Sequence, residues 1–532
     1  MANRDRSILI IGAGYMQLPA IRAARRLGLT VIVADGSKEA PGRAEADDFL
    51  HIDLKALDEM AVAARRLQET RGLAAVFTAG TDFSATVSYV AEAAGLPGTP
   101  YENALLATDK FRMREVLRSA GVRVPDFSVV SRTELDQCEG GLPERVTRLR
   151  LPVVVKPADS MGGRGVVRAD DWRQALHHAR TAVQYSRTDR VVIEGFIPGP
   201  EFSLDALIYG DTVQVTGFAD RHIEFEPFFI EVGHTIPSCL GVPERELLEQ
   251  EFVRGVRALG LGPGAAKGDM KLSPDGPVVG EIANRLSGGY MSGWTYPYSS
   301  GVPLSELGIR VALGAAPGPV RPTRDWTSAE RAIVSIPGRI KSLSGSEEAS
   351  RLASVEDVIA TRGPGDYVRF PQNNVEKAGN VITAAAKRDV AIRQAERAVA
   401  SIFVRLSAGE ATTQAFLFEP VAADARHWAF PDAHRRFHTL VESIDKNLIA
   451  AMPGGHHGPL HIPRPLMEWD ERDWSYRTIA QSLELVREFL EIRIEPVDKT
   501  EPDDPGSVCF LRALLRGGAQ GALYFLETQL NS

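Results

Sequence analysis

Residues Val153–Gly165 read VVVKPADSMGGRG. The β-branched run predicts a strand that carries one lysine, Lys156, into a glycine-rich turn. A lysine among valines is costly unless an anion pairs with it. Gly162, Gly163 and Gly165 remove side chains where backbone N–H groups can converge on such an anion. A phosphate chain suits both features; the plainer alternative is a flexible turn beside a lysine whose ammonium reaches solvent. Lysine is scarce: most of the 61 basic residues are arginine, and between Lys55 and Lys267 only Lys110 and Lys156 occur. A compact ammonium makes a point contact with a phosphate oxygen that arginine's planar fork is less suited to.

At 532 residues the chain is too long for one core, and about three or four domains are expected. Its 44% hydrophobic and 24% charged content is that of an ordinary globular protein. A net charge of -8 without any basic run argues against a general nucleic-acid binder. Cys138, Cys239 and Cys509 are far apart, with neither metal-ligand spacing nor a disulfide framework. That pattern predicts a reducing, cytoplasmic setting. The start, MANRDRSILIIGAG, leads straight into a strand, and no apolar run reaches membrane-spanning length, so no membrane partner is expected.

Strands at Ser7–Ile11, Thr30–Ala34 and Ala74–Thr78 alternate with helices at Leu18–Leu27, Asp58–Glu69 and Thr86–Ala94. This alternation predicts a parallel α/β layer that closes near Gly98-Thr99-Pro100. One helix is expected over Asn103–Ala120. An α+β segment follows, with strands at Val153–Lys156, Val191–Glu194, Phe202–Tyr209 and Val213–Asp220 and a helix at Leu247–Leu259. A hairpin of Gly268–Leu272 and Val278–Ile282 turns around Pro274-Asp275-Gly276. Short strands return from Arg331 to about Leu406. Helical patterns then cover His434–Met452, Trp474–Glu491 and Val508–Leu530, with His456-His457-Gly458 and Glu501–Asp504 read as solvated loops.

Four constellations carry chemistry. Gly12-Ala13-Gly14 with Asp35 holds two glycines of a dinucleotide fingerprint, but Gln17 stands where the third belongs. A tight strand-to-helix turn is the simpler reading, and a nicotinamide-dependent oxidoreductase or dinucleotide sensor the rival one. Lys156 with its glycine turn is the second, joined by Lys110, which alone would read as a solvated helix lysine. The third is VVIEGFIPGPEFSLD, Val191–Asp205. Its linker through Ile197 can offer backbone groups to a base edge, and Glu201 can accept from ribose hydroxyls; a plain turn is the alternative. The fourth pairs Asp269 with Glu281 across the hairpin, followed by Asn284, Arg285 and Ser287-Gly288-Gly289. Two such carboxylates repel unless a cation lies between them, and few protein oxygens completed by phosphates are the habit of Mg²⁺. A solvated hairpin with surface charges is the alternative.

Taken in order, these elements resemble the ATP-grasp superfamily, over Ile8 to about Leu406. The resemblance implies α/β and α+β domains of the ATP-grasp fold: a Rossmann-like pre-grasp domain at 1–102, the grasp at 103–318 and a closing domain at 319–408. Residues 409–532 are an appended, mainly helical module. It further implies that Lys110 and Lys156 contact phosphates under the loop of Gly162, Gly163 and Gly165. Glu194 would face the adenine amino group, Ile197 its backbone-contacted edge, and Glu201 the ribose. Asp269 and Glu281 would hold Mg²⁺, or Mn²⁺ in its place, and Arg285 the acyl phosphate. Many members read Glu-x-Asn at the second metal acid; here the sequence is Glu281-Ile282-Ala283, with asparagine one residue later at Asn284. That variant is similar to bacterial L-amino-acid ligases, as is Glu231–Ser238, where His234 would lie near the carboxylate substrate, with Ser287 and Gly288 beside it. The implied reaction is ATP-dependent joining of a small carboxylate to an amine, with ADP release, by a chain expected to form a homo-oligomer. A non-catalytic ATP-binding regulator is a third reading.

Overall fold

The computed structural model describes residues 6–137, 141–419, 427–442, 459–498 and 504–531. Cys138, Ile444, Leu448, Ile449, His456, His457 and most of the Glu501–Asp504 loop lie outside the described residues. The chain forms two compact units. The first is Met1–Glu224 with Glu231–Glu330 and Ala384–Ala391; the second is Phe225–Ile230 with Arg331–Thr383 and Ile392–Ser532.

The first unit opens with four parallel strands in the spatial order Asp48–His51, Thr30–Asp35, Ser7–Ile11, Leu73–Phe77. Ile8 and Ile10 point into one core with Ile21 and Val31, while Leu9 and Ile11 point into another with Met60 and Val90. A parallel sheet covered by helices on both faces needs such uninterrupted apolar strands. Asp48–His51, too polar to read as a strand, pairs at the sheet edge.

The expected helix over Asn103–Ala120 is two helices, Tyr101–Leu106 and Lys110–Ser119. Asp109 breaks it: its carboxylate accepts from the N–H groups of Phe111 and Arg112 at 3.0 and 3.1 Å, capping the second helix. Lys110 is therefore a first-turn residue.

Two antiparallel sheets follow. One has the order Phe127–Ser131, Arg190–Gly195, Val153–Pro157, Val167–Ala169. The other runs Gly276–Ala283, Gly264–Ser273, Glu201–Tyr209, Thr212–Glu224, Ile230–Ile236, then Thr327–Ile333 through Ser328 and Ala329. Helix Val242–Ala258 seats Phe252 and Val256 against Leu204, Met270 and Ile282. This face of the sheet is apolar throughout, and the opposite face is apolar at one end, where Leu207, Ala219 and Ala265 join a separate core with Leu304 and Ile309.

In the second unit, Gly338–Ser344 pairs with Tyr367–Val368 and Phe403–Leu406. The tail adds helices Ala411–Phe418, Ile479–Phe489 and Pro505–Asn531 and a parallel pair, Leu460–Pro463 with Ile494–Val497, that the helical reading did not include. Ile336, Ile340, Val399 and Leu406 share one core with Leu417, Leu483, Phe510 and Leu514. A boundary near residue 408 therefore does not separate two cores. Segment Pro505–Asn531, helical on both sides of a break at Gly518, is buried around nearly its whole circumference, the mark of core helices rather than added ones.

Removing a single buried Phe typically costs about 3–5 kcal/mol, against a total stability of roughly 5–15 kcal/mol. A chain ending at Ala408 loses Leu417, Phe510 and Leu514 together. It is expected to go to the insoluble fraction on expression, measured as soluble yield beside the full chain.

Candidate active site

The face of the second sheet opposite helix Val242–Ala258 carries charges, and strand register sets their order. Glu201 lies across from Arg221 on one side and Lys271 on the other. Asp269 lies across from Ser203 and Glu281, and Asp205 from Lys267. Cross-strand partners share a face, so alternation puts Glu201, Ser203 and Asp205 on the same face as Lys271, Asp269 and Lys267. Arg221, only 14% exposed, reaches Glu201 at 2.9 Å, Glu231 at 2.8 Å and Asp269 at 3.6 Å. Burial alone would disfavour its charge, but Asp269, Glu231 and Glu201 more than offset that and raise its pKa further. Lys267 also pairs with Asp269, and Ser203 Oγ donates to Asp269 at 3.0 Å. Burial opposes ionisation of Asp269, yet Arg221 and Lys267 hold its carboxyl below the usual range. Burial likewise opposes ionisation of Glu281, and Lys110 and Lys267 prevail.

The other sheet carries Lys156. Its ammonium pairs with one oxygen of Glu194, and Arg114, wholly buried, takes the other at 3.2 Å. Desolvation pulls the Lys156 pKa down against the opposing pull of Glu194, while burial works against ionisation of Glu194 and Arg114 and Lys156 hold its carboxyl below the usual range. Lys110 Nζ donates to the carbonyl of Ser160 at 2.6 Å, at the start of the glycine turn, and stands 3.5 Å from Glu281. Gly162, Gly163 and Gly165 have φ of 69°, 75° and 70°, a region L-residues avoid. At Gly165 a Cβ would also sit 2.9 Å from the Tyr185 ring. Phe196, beside Ile197, lies between the Arg168 guanidinium and the Lys271 ammonium, 4.8 and 4.9 Å from its ring centre.

Beyond the hairpin, Arg285 Nε donates to the carbonyl of Thr81 at 2.8 Å. The Ser287 N–H donates to Asp205 at 2.7 Å, and its hydroxyl donates to the same carboxylate. Gly288 packs on Gly80, where a Cβ would lie 2.9 Å from the Gly288 Cα. His234 is a strand residue rather than a loop residue, 2% exposed, with Nδ1 2.8 Å from Glu330 and Nε2 3.6 Å from Glu231. Burial works against a charged imidazole there, but Glu231 and Glu330 raise its pKa overall.

The structure thus gathers Lys110, Lys156, the glycine turn, Glu194, Glu201, Asp269, Glu281 and Arg285 in one unit and reassigns some partners. Glu194, expected at an adenine amino group, has both oxygens engaged by Lys156 and Arg114. Glu201 is bound by Arg221 and, at 3.0 Å, by Lys271. Ser287 is a strut held by Asp205. Asn284 turns away from the acids: its Oδ1 accepts from Thr99 Oγ1 at 2.8 Å, and its Nδ2 donates to Ser88 Oγ at 3.2 Å. Arg114, Arg221, Lys267 and Glu231 were not singled out from sequence. For Lys267 a signal existed, the alternation of Lys267, Asp269 and Lys271. The turn at Gly12-Ala13-Gly14 has its middle residue engaged within the protein. Ala13 N–H is given to Asp35 at 2.8 Å, and Gly42 N–H donates to the Ala13 carbonyl at 2.7 Å, laying Pro41–Glu45 over the turn.

Family models agree with this layout. An ATP-grasp N-terminal domain matches residues 21–98, an ATP-grasp domain 107–289, and an L-amino acid ligase C-terminal domain 2 residues 331–407. A putative D-alanine–D-lactate ligase of Streptomyces coelicolor is 32% identical over 251 residues, 43% of this chain and 68% of that protein. The chain belongs to the ATP-grasp family. It is an ATP-grasp ligase, of the class that forms carbon–nitrogen bonds and releases ADP. An uncharacterised Sinorhizobium fredii protein, y4rH, is 27% identical over 388 residues, covering 72% of this chain and 79% of the relative. The crystal structure of an L-amino acid ligase from Bacillus licheniformis superposes with a TM-score of 0.66 at 23% identity, over 76% of this chain and all of that one. No helix among the described residues is long and apolar enough to cross a membrane.

In this ATP-grasp ligase, burial pushes the Asp205 carboxyl up to about 6, against the pull of its bonds from Ser287. A carboxyl whose folded pKa is raised binds its proton more tightly in the native state. Its contribution to stability is complete below the unfolded value and lost as pH rises through the folded one. Asp205→Asn is expected to flatten stability against pH between about 4 and 6, measured as denaturation midpoints. Asp205→Ala, which leaves the Ser287 donors buried and unpaired, should cost about 1–3 kcal/mol at every pH.

Proposed function

We propose that this ligase activates a small carboxylate with ATP as an acyl phosphate and transfers the acyl group to an amine, with amino acids as the substrate class. One observation carries the reading: the Lys110 ammonium joins the Ser160 carbonyl of the glycine turn to Glu281 of the acidic hairpin. One cation thereby links the phosphate-binding loop to the carboxylates that face the transfer.

A substrate carboxylate oxygen attacks the γ-phosphorus, and ADP leaves. Lys156 and Lys110 neutralise the phosphate oxygens, and the left-handed glycines let backbone N–H groups close over them. Asp269 and Glu281 would hold a divalent cation. They offer hard oxygen donors on adjacent strands, and the lysines and arginine already gathered on them show that the pair calls for positive charge. When bound, Mg²⁺ supplies charge neutralisation at the transferring phosphoryl group. Arg285 is pinned through Nε and holds the acyl phosphate with its remaining donors. The amine nitrogen then attacks the acyl carbon, phosphate leaves, and the ammonium proton is lost. Positioning and charge do this work without a side-chain nucleophile.

The amino-acid class is supported by the L-amino acid ligase domain match over residues 331–407 and by the buried Glu231 beside Gly289, whose carboxylate can receive an α-ammonium group. Ile197 would offer its backbone to the adenine edge and Glu201 would lie at the ribose. ATP dependence carries a cytoplasmic location with it.

The test is ADP release with amino acids and other small carboxylates, singly and in pairs, with the amide product identified by mass. Pair-dependent ADP release is expected; its absence across all pairs would sink the reading. Lys156→Ala and Glu281→Ala should each lower turnover by about 10²–10³-fold. Arg285→Lys should retain ATP affinity in calorimetry while losing amide formation, because lysine lacks the planar fork.

A further inference from the structure

Arg164 stands inside the glycine turn, between Gly163 and Gly165, and no step above uses it. Its guanidinium lies 2.6 Å from the carboxylate of Asp82, 82 residues earlier in the chain. Both side chains are about one-third exposed, 35% and 36%. Ion pairs so open to solvent add little to global stability. A contact of that kind is cheap to break and remake, which suits a reversible fastening better than a structural brace.

What Asp82 is attached to gives the contact its meaning. The segment 78–83 is fixed to the segment that carries Arg285. Gly80 N–H donates to the Leu286 carbonyl at 3.1 Å, Ala79 bridges Leu286, and Gly80 packs on Gly288. Arg285 Nε binds the Thr81 carbonyl, the residue next to Asp82. Thr81 is itself held by the Thr78 hydroxyl at 2.9 Å. Asp82 thus ends a rigid strip whose other member is the acyl-phosphate arginine. The glycine turn, by contrast, is anchored at its two ends, by Lys110 at Ser160 and by Gly165 against Tyr185.

We propose that Asp82 is a positioning residue: through Arg164 it latches the phosphate loop to the strip that seats Arg285, so the loop shuts over ATP when the carboxylate side is in place. The latch keeps water from the γ-phosphate and acyl phosphate, tying ADP release to amide formation. This inference rests on the ligase reading above. Asp82 acts on the loop and Arg164 is its partner; neither is assigned a bond to the reacting atoms.

The test compares the full-length wild type with Asp82→Asn, Asp82→Glu, Arg164→Gln and the swapped pair Asp82→Arg with Arg164→Asp. Three readouts are taken: KM for ATP, the ratio of ADP to amide, and the rate of tryptic cleavage after Arg164 in the wild type and the Asp82 single variants. Asp82→Asn should raise KM for ATP and the cleavage rate by up to about fivefold and lift the ADP-to-amide ratio above that of the wild type, with an unchanged melting temperature. Asp82→Glu and the swapped pair should restore KM and ratio toward wild type. An impaired Arg164→Gln beside a normal Asp82→Asn would place Arg164 on the phosphate itself and overturn the latch. Wild-type KM, ratio and cleavage in Asp82→Asn would overturn it too, leaving the ligase reading intact. Failure of the wild type to bind ATP in calorimetry would remove both.

Discussion

Arg221 sits among the carboxylates of Glu201, Glu231 and Asp269, supplied by three different strands. Buried acids so close together cannot all stay ionised without a cation between them. Arg221 is that cation, and the strands around it keep a fixed register: Glu201 across from Arg221, Asp269 across from Glu281. The sheet therefore has one face that is apolar and closed by helix Val242–Ala258 and another that carries this ionic cluster beside an apolar end at Leu207, Ala219 and Ala265. Removing a single partner from such a set leaves an uncompensated buried charge, which is far more destabilising than the pairs are stabilising. The ionic face thus adds little stability, which accords with the binding role proposed for it.

The parts legible in the sequence were those marked by unusual composition. Lys156 stood out because it interrupts valines; Gly162, Gly163 and Gly165 because nothing but glycine is at ease at their φ angles; Asp269 and Glu281 because Pro274-Asp275-Gly276 fixes a hairpin between them. The partners of these residues were hidden. Arg114 meets Glu194 from 80 residues away, and Arg221 meets Asp269 only through the strand of Glu201 between them. Register between distant strands is a tertiary property, and local pattern does not report it. The helix break at Asp109 was missed for a related reason. Apolar spacing continues across it, and the cap competes only once the carboxylate turns back onto Phe111 and Arg112.

The N-terminal glycine turn shows how one motif serves two ends. Its geometry is that of a phosphate-binding turn, with Gly12 at a φ of 93°. Its Ala13 groups are engaged inside the protein: the N–H donates to Asp35, and the carbonyl accepts from the Gly42 N–H. Gln17, in the place of a third glycine, is buried and exchanges hydrogen bonds with the backbone of Ala79. A side chain there would crowd a helix packed tightly on its strand. Here it instead binds the end of strand Leu73–Phe77 to the turn and so sets the position of segment 78–83.

Asn284 ties the same region from the other side. Side chains alternate along a strand, so moving a residue by one position moves it to the opposite face. At the second position after Glu281 an asparagine would share the face of the acids. One residue later it points the other way, and its amide is taken by Thr99 and Ser88 of the N-terminal segment. The cation side is left with two carboxylates, balanced by lysines and an arginine, and among the described residues no third ligating side chain joins them. The group displaced from that side now fixes the end of strand Gly276–Ala283, immediately before Arg285, to the α/β layer. Arg285 is thus held at both ends, by Asn284 behind it and by Thr81 in front. The single-residue shift takes the asparagine off the face of the acids and in return fixes the arginine proposed above for the acyl phosphate.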